Sequence, residues 1–256
     1  IGLSCKPSTK KRFRNKIVAL GGGNTYNFTK EQLIDLFENN FVIVDGGAVR
    51  ILIDRGLGFL IGATKYETYI GEHNVHSYEQ VKDGILINDK KGYRVTAFGK
   101  AGDYVKISYK DESGAQSFVY DYLDNKIGVG DMDGGNYFVI PYVINGMYFE
   151  QYHDLRTTLL KTFLRKSGVE LVLTNHAGVY VYLYKQHNKK VLIIINSTEE
   201  DFEATELELQ NVKFTQIYAI NRKSGGRRYV KYERQGHKLI IKTRNEHLTS
   251  QTLLLV

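Results

Sequence analysis

The stretch Phe41–Gly62, FVIVDGGAVRILIDRGLGFLIG, decides the fold of the first half of this chain. Its first four residues form a short apolar run before a glycine turn, which is typical of a strand covered on both faces. After Asp45 and two glycines, residues 47–54 show helical periodicity. Their apolar residues share one face: Val49, Leu52 and Ile53. Gly56 follows where a left-handed residue ends a helix. The stretch predicts a buried strand, a tight turn and a helix.

The residues before this stretch also predict a strand followed by a helix. Lys16–Leu20 is an apolar run that predicts a strand, and a helix is predicted from Thr29 to Asn39. Thr29 and Gln32 are three residues apart, so they can form a capping box at the start of that helix. The order strand, helix, strand, helix is typical of an α/β layer.

The central part of the chain changes period. Between residues 66 and 142 several runs alternate apolar and polar side chains, which predicts half-buried antiparallel strands. These runs are Gly92–Phe98, Tyr104–Tyr109 and Ser117–Tyr122. A fully apolar strand at Tyr137–Ile144 and an amphipathic helix at Gln151–Lys166 then return to the α/β pattern. We therefore expect the β-rich residues, about 66–135, to be an insertion in an α/β domain.

From about Val169 to Val256 no helical period is present, and short strands recur at intervals typical of a β-sandwich. Seven strands are predicted: Gly178–Tyr184, Lys190–Asn196, Glu203–Leu209, Phe214–Ile220, Arg228–Tyr232, Leu239–Thr243 and Gln251–Leu255. The sequence thus predicts the α+β class. Residues 1–167 form an α/β domain with its β insertion, and residues 168–256 form a C-terminal β-sandwich.

Composition narrows the possible functions. Hydrophobic residues make up 42% of the 256 residues, enough to build real cores, yet no apolar run is long enough to span a membrane. The net charge is +7, but the basic residues cluster at Lys10–Arg14 and Arg222–Arg228 without the stripe expected of a nucleic-acid binder. Cys5 alone excludes an internal disulfide framework. We expect a soluble protein of the cytoplasm or periplasm, with neither nucleic acid nor membrane as partner.

One glycine-rich segment invites a phosphate-binding hypothesis. Gly21–Asn24 follows a predicted strand and precedes a helix, where backbone amides can bind anions. It lacks both the Gly-x-Gly-x-x-Gly spacing and the Gly-Lys-Ser/Thr ending of phosphate loops. A flexible turn is therefore the preferred interpretation.

Two further segments contain metal-ligand residue types. Asp131–Asn136 begins like a calcium loop, but Tyr142 stands where an EF-hand needs glutamate, so a β-turn is preferred. Glu72, His73 and His76 would share a face only on a helix, and their neighbours are strand-like. No Gly-x-Ser-x-Gly nucleophile elbow is present. We predict no metal, no cofactor and no catalytic residue in this chain.

The Phe41–Gly62 stretch resembles a sequence pattern of the trimeric β-galactosidases of glycoside hydrolase family 42. In that family the pattern lies in a flavodoxin-like domain beyond the catalytic barrel. It consists of a strand, the motif Asp-Gly-small-Ala, a helix, and the motifs Arg-Gly-Leu-Gly and Ile-Gly. The matching positions are Asp45, Ala48, Arg55, Gly56, Leu57, Gly58 and Gly62. This chain departs from the pattern at Gly47, where glutamate is common, and in its tyrosine-rich central strands.

The resemblance implies a flavodoxin-like layer and the C-terminal β domain that closes many glycosidases. The two catalytic glutamates of the family lie in the upstream barrel, so no residue of this chain inherits their roles. The implied partners are an upstream catalytic barrel or further copies of the chain. The candidate contact surfaces are the tyrosine-rich strands and Gly146–Glu150, with its Met and aromatic side chains.

Two functions from different classes follow. The favoured one is a non-catalytic accessory and oligomerisation region of a bacterial glycoside hydrolase, acting in carbohydrate metabolism. The alternative is a free-standing carbohydrate-binding or scaffold protein that uses some of its 19 tyrosines and 12 phenylalanines to stack sugars. Tyr180, Tyr182 and Tyr184 lie on one face of a predicted strand and are the candidates, although the absence of tryptophan weakens this alternative. A self-sufficient hydrolase that uses carboxylates of the insertion ranks last.

Overall fold

The computed structural model describes residues 8–69, 78–81, 93–95, 104–110, 115–120, 126–132, 136–140, 161, 163–165, 167–174, 176, 178–186, 189–221 and 223–256. They divide into two compact units, residues 8–167 and residues 168–256. Both units are rich in strands, and the helices lie in the first. This mixture of helices with several sheets is consistent with the α+β class.

The first unit is built on a three-stranded parallel sheet. Its strands are β1 (Ile17–Leu20), β2 (Phe41–Asp45) and β9 (Tyr137–Ile140), in the order β1-β2-β9. Within residues 8–69 it is accompanied by the α-helices α1 (Gly22–Thr25), α2 (Lys30–Asn39) and α3 (Gly46–Asp54), and by a short 3₁₀ helix at Gly58–Ile61. The strands predicted at β1 and β2 and the helices predicted at α2 and α3 are confirmed within one residue at each end.

Helix α2 begins at the predicted capping box. The backbone amide of Gln32 donates to Thr29 Oγ1 at 3.2 Å, and the amide of Thr29 donates to Gln32 Oε1 at 3.0 Å. These bonds satisfy amides that the first helical turn leaves free. Leu33 and Leu36 then turn inward and are fully buried in the core that also contains Val44 of β2.

The predicted β insertion lies between two neighbouring strands of the parallel sheet, since β2 and β9 pair directly. Strands β3 (Ala63–Tyr69) and β6 (Tyr104–Tyr109) form one antiparallel pair. A second sheet has the order β5-β4-β7-β8, formed by β4 (Tyr78–Val81), β5 (Tyr93–Val95), β7 (Ala115–Tyr120) and β8 (Lys126–Met132). Val105 and Ile107 of β6 pack into the core of the parallel layer.

The end of the first unit is described in part. The predicted strand Tyr137–Ile144 is observed as β9 up to Ile140, and residues 141–150 lie outside the described residues, including the candidate contact segment Gly146–Glu150. Of the helix predicted over Gln151–Lys166, residues 161 and 163–165 are helical. The ring of Phe163 lies 4.6 Å from that of Phe138, centroid to centroid, so this helical segment packs against β9.

The second unit contains two antiparallel sheets. The first has the order β10-β13-β17-β16 and comprises β10 (Leu171–Thr174), β13 (Thr205–Gln210), β16 (Tyr232–Gln235) and β17 (Lys238–Ile241). The second has the order β11-β12-β18-β14-β15 and comprises β11 (Val179–Gln186), β12 (Lys189–Asn196), β14 (Ile217–Ile220), β15 (Arg227–Tyr229) and β18 (Thr249–Leu255). One buried core contains apolar residues of both sheets.

Two features of the second unit differ from the sequence expectation. Strand β10, Leu171–Thr174, is buried at every position and was not among the seven predicted strands. The single strand predicted over Arg228–Tyr232 is wrong. The chain leaves one sheet after Tyr229, buries Val230 in the shared core at 3% exposure, and enters the other sheet at Tyr232. The buried valine makes this crossing favourable, since it removes an apolar side chain from water.

Candidate functional site

Asp45 lies at the carboxyl end of β2, where open α/β sheets place their ligands. Its Oδ1 accepts a hydrogen bond from the Ala48 amide at 2.7 Å, so Asp45 caps helix α3. Amides of Gly22 and Gly47 also donate to this carboxylate. Burial raises the pKa of the Asp45 carboxyl above its usual value, and the three amide hydrogen bonds oppose that shift.

Glycines allow the two loops beside Asp45 to touch. A Cβ added at Gly22 would lie 3.0 Å from the Cα of Gly47, so the starts of α1 and α3 meet backbone to backbone. The expectation of a flexible turn at Gly21–Asn24 is wrong, because α1 begins there directly after β1. The Gly22 amide is committed to Asp45, so a phosphate in this place would compete with the protein's own carboxylate.

Arg55 links the end of α3 to the segment before α2. Its Nη1 donates to the carbonyl oxygen of Phe28 at 2.8 Å and lies 3.4 Å from that of Thr25. A guanidinium presents several donors in a fixed plane, which suits the joining of neighbouring carbonyls. The side chain therefore holds together two segments of the first unit.

The remaining motif positions shape the turns after α3. Gly56 and Gly62 have φ angles of +73° and +63°, the left-handed region in which a Cβ is costly. A Cβ at Gly58 would lie 2.4 Å from the carbonyl oxygen of Ala63. Ala48 and Leu57 are buried at 0% and 3% exposure. The structure thus brings the seven predicted positions into one connected region and uses each for packing, capping or turn geometry.

The described residues of the candidate metal-binding segments form no cluster of ligands. In the described ranges no group of three or more His, Cys, Asp or Glu side chains is placed to hold a metal ion. Glu72, His73 and His76 lie outside the described residues, as do residues 133–135 of the calcium-like segment. Asp131 belongs to β8.

The second unit has an unusual sheet surface. On β11, Val179, Val181 and Leu183 face the shared core, so Tyr180, Tyr182 and Tyr184 face away from it, as predicted. The strand register extends this surface across the five-stranded sheet. We call it the outer face, and define it by Tyr180, Tyr182, Tyr184, Lys189, Val191, Ile193, Ile195, Ser250, Thr252, Leu254, Tyr218, Ile220, Arg227 and Tyr229.

On the outer face, tyrosine side chains have larger exposed fractions than aliphatic side chains. Tyr180, Tyr184 and Tyr229 are 42%, 47% and 55% exposed, whereas Leu254 on the same face is only 4% exposed. The rings of Tyr182 and Tyr184 are parallel within 8°, with centroids 6.4 Å apart. Outward positions of two-layer β proteins are usually polar. This aromatic surface is therefore a candidate binding surface.

The charged side chains at the strand positions of the outer face are all basic. None of its strand positions in the described residues carries an acidic side chain. Lys189 and Arg227 lie on it, both exposed, and neither has an acidic partner among the described residues. By contrast, Lys185 and Lys190 at the same edge of the sheet pair with Glu170. The face thus presents free cations beside its tyrosines.

A groove of about 640 Å³ adjoins the outer face where Ile195 pairs with Ser250. Its polar lining includes Arg244, Glu246 and Gln251. Aromatic surface beside a polar groove is an arrangement that can bind an amphipathic ligand, since rings contact the apolar parts while polar groups fix the orientation.

Polar contacts hold the loops of this groove, and they are buried at Asn196 and exposed at Asp201. The side-chain amide of Asn196 donates to the carbonyl oxygens of Glu200 at 2.7 Å and Glu246 at 3.2 Å. Asp201 accepts hydrogen bonds from the Arg244 guanidinium and from the His247 amide, at 2.5 and 2.8 Å. The Arg244 guanidinium, helped by His247, holds the pKa of Asp201 well below its usual range. Sequence reasoning missed this cluster because its members come from two distant loops.

Comparison with known proteins relates the fold to glycosidases. No protein-family model matches the sequence, and no curated protein sequence matches it. The structure is similar to a β-galactosidase from Bacillus circulans sp. alkalophilus, with a TM-score of 0.51 and 10% identity over 94% of this chain and 33% of that chain. A catalytic mutant of Gan42B, a GH42 β-galactosidase from G. stearothermophilus, gives a TM-score of 0.51 and 11% identity over 94% of this chain and 32% of that one.

This chain therefore spans about a third of the length of the β-galactosidases that it matches. At such low identity the similarity shows a shared fold and not membership of the family. The resemblance expected from the sequence is confirmed for the fold alone. Within the described residues, no helix is both long and apolar enough to span a bilayer.

Proposed function

We propose that this chain is a non-catalytic accessory region of a β-galactosidase-like glycoside hydrolase. In this proposal the first unit is a flavodoxin-like layer with a β insertion, and the second is a β-sandwich. The observation that carries it is the similarity of fold, which extends over 94% of this chain but only a third of the enzymes. A region of that extent would accompany a catalytic domain that lies elsewhere in a longer protein.

Two carboxylates, Asp45 and Asp201, are unsuited to the general-acid role in glycoside hydrolysis. Glycoside hydrolysis uses two carboxyl groups about 5–10 Å apart, one of which must stay protonated as the general acid. Asp201, beside the groove, is held ionised by its hydrogen bonds with Arg244 and His247, which is the wrong protonation state for that acid. Asp45 has a raised pKa, but its carboxylate caps α3 and receives the surrounding amides.

The accessory role consists in assembling copies of the chain and in shaping the edge of a neighbouring catalytic barrel. The resemblance of Asp45 and Arg55–Gly58 to the trimeric β-galactosidases supports this assignment. The alternative, a free-standing carbohydrate-binding protein, is favoured by the tyrosines of the outer face.

Hydrolysis assays test the proposal directly. We expect the purified chain to release no nitrophenol from nitrophenyl glycosides above background, while the full reading frame that contains it hydrolyses nitrophenyl β-galactoside. Turnover by the chain alone that disappears in Glu246→Gln, and persists in the control Glu199→Gln, would contradict the non-catalytic assignment. Glu246 lines the groove, whereas Glu199 is an exposed residue outside its lining.

A further inference from the structure

Leu248, which lines the groove beside β12, has a strained backbone. Its φ of +50° lies in the left-handed region, whereas the other positive φ angles of the described residues belong to glycine and asparagine, which tolerate it. The side chain is 70% exposed, so burial does not offset the strain. Bonds on both sides fix the loop: the His247 amide donates to Asp201 at 2.8 Å, and Thr249 Oγ1 donates to a carbonyl oxygen at 2.6 Å. Such strain is concentrated at functional sites, which indicates that the loop holds Leu248 out to contact a ligand.

Two amide side chains at the groove have hydrogen-bonding atoms without partners. Gln251 lines the groove and donates through Nε2 to the Arg244 carbonyl oxygen, but its buried Oε1 has no donor among the described residues. Asn245 lies in the chain between two lining residues and is fully buried, and neither its Oδ1 nor its Nδ2 has a partner there. Buried polar groups are rarely left unpaired. A hydroxyl group both donates and accepts, so a ligand with several hydroxyls can bond to atoms of either kind.

The charges at the groove favour a neutral ligand. Arg244 is the basic residue of the lining, and its guanidinium is paired with Asp201. The Glu246 carboxylate also lines the groove, is exposed, and accepts no hydrogen bond from the residues that the structure describes. An anionic ligand would therefore meet a free carboxylate and an already neutralised cation. A carboxylate accepts strong hydrogen bonds from hydroxyl groups, so Glu246 is suited to a sugar.

Apolar side chains lie beside these polar groups. Tyr180, 42% exposed, is the strand partner of Ile195, which lines the groove. A pyranose ring presents C–H groups on one side and hydroxyls around its edge. The former can pack on a tyrosine ring or on Leu248 while the latter reach the polar lining. The groove volume of about 640 Å³ is in the range of small-ligand sites.

We propose that this groove, where β12 ends and β18 begins, binds a neutral saccharide. Leu248 and Tyr180 contact C–H groups of the sugar, and Glu246 and Gln251 contact its hydroxyls. The choice of a sugar among neutral polar ligands rests on the carbohydrate-linked function proposed above. The inference deepens that function, because it names a ligand class and a site.

Calorimetric titration of the whole chain tests the ligand class. The probes are a neutral galacto-oligosaccharide and an oligogalacturonate of the same length. We expect the neutral chain to bind more tightly, with an affinity that changes little as salt is added. No binding of the neutral chain, or binding of oligogalacturonate that is equally tight or tighter, would overturn the proposal.

Paired variants test the position of the ligand. Glu246→Gln should weaken binding of the neutral chain about tenfold, because an amide is a weaker acceptor than a carboxylate. Glu199→Gln, an exposed glutamate outside the lining, is its control and should leave the affinity unchanged. Tyr180→Ala should weaken binding several-fold, whereas Tyr229→Ala, on the opposite edge strand of the same sheet, should not. Equal losses within either pair would contradict the site.

Leu248→Gly separates binding from folding. Glycine adopts the left-handed region readily, so the urea midpoint should be unchanged or higher while the affinity for the neutral chain falls several-fold. A variant that binds like the wild type would contradict the proposal. Because the readout is binding, failure of this proposal would leave the accessory role intact. Turnover by the chain alone would overturn that role and leave the saccharide site intact.

Discussion

The carboxylate of Asp45 receives the backbone amide of Ala48 at 2.7 Å, so the last residue of β2 is also the cap of helix α3. One side chain thereby fixes the turn between strand and helix. The Gly22 amide donates to the same carboxylate, which ties the preceding loop to that turn.

Loss of this cap should destabilise the first unit. We expect Asp45→Ala to lower the free energy of unfolding by about 1 kcal/mol, the usual cost of removing a helix N-cap, and Asp45→Asn to cost less because its side-chain oxygen still accepts. Urea unfolding measures both. An Asp45→Ala variant as stable as the wild type would show that the Gly22 and Ala48 amides find other acceptors.

The raised pKa of Asp45 predicts the sign of a pH effect. Because the folded state holds the proton more tightly than the unfolded state, this group's contribution to stability is fully present below its ordinary pKa of 3.8 and is lost as pH rises through the raised value. We expect the stability of Asp45→Asn, measured by urea unfolding, not to show this loss as the pH rises from below 3.8 through the raised pKa. A variant with the pH slope of the wild type would assign the slope to other groups.

Gly58 should tolerate no side chain. A Cβ there would lie 2.4 Å from the Ala63 carbonyl oxygen, and backbone on both sides must move to relieve the clash. We expect Gly58→Ala to cost about 1–3 kcal/mol of unfolding free energy. Gly23→Ala is the control, because a Cβ at Gly23 meets nothing within 4 Å, and its midpoint in urea should be unchanged or slightly higher.

The Asp201 cluster predicts an acid-sensitive second unit. Its hydrogen bonds with Arg244 and His247 depress the pKa of Asp201, so its contribution to stability is present above the ordinary value of 3.8 and is lost as pH falls below it. We expect Asp201→Asn to flatten the acid limb of the thermal midpoint plotted against pH. Glu199→Gln on the same loop should leave the limb as it is, and equal effects of the two variants would contradict the assignment.

Assembly is the role that the resemblance implies, and mass measurements test it. We expect the chain to self-associate into a closed dimer or trimer, seen by light scattering across a hundredfold range of protein concentration. A strictly monomeric mass at every concentration would remove the assembly role and leave the accessory one.

Sequence alone determined the features that depend on neighbouring residues. The capping box of Thr29 and Gln32, the end of α3 before Gly56 and the common face of Tyr180, Tyr182 and Tyr184 all follow from spacing along the chain. Each reflects a bond, a backbone angle or an alternation that acts within a few residues, so the pattern of residues is sufficient.

Tertiary structure decided what distant segments do together. The contact of Gly22 with Gly47, the groove that Arg244 and Glu246 line beside β12, and the crossing between sheets at Val230 give no signal in local periodicity. Each depends on which strands pair and on which apolar side chains can then be buried together. Such contacts join residues far apart in the chain, and only the folded packing brings them within reach.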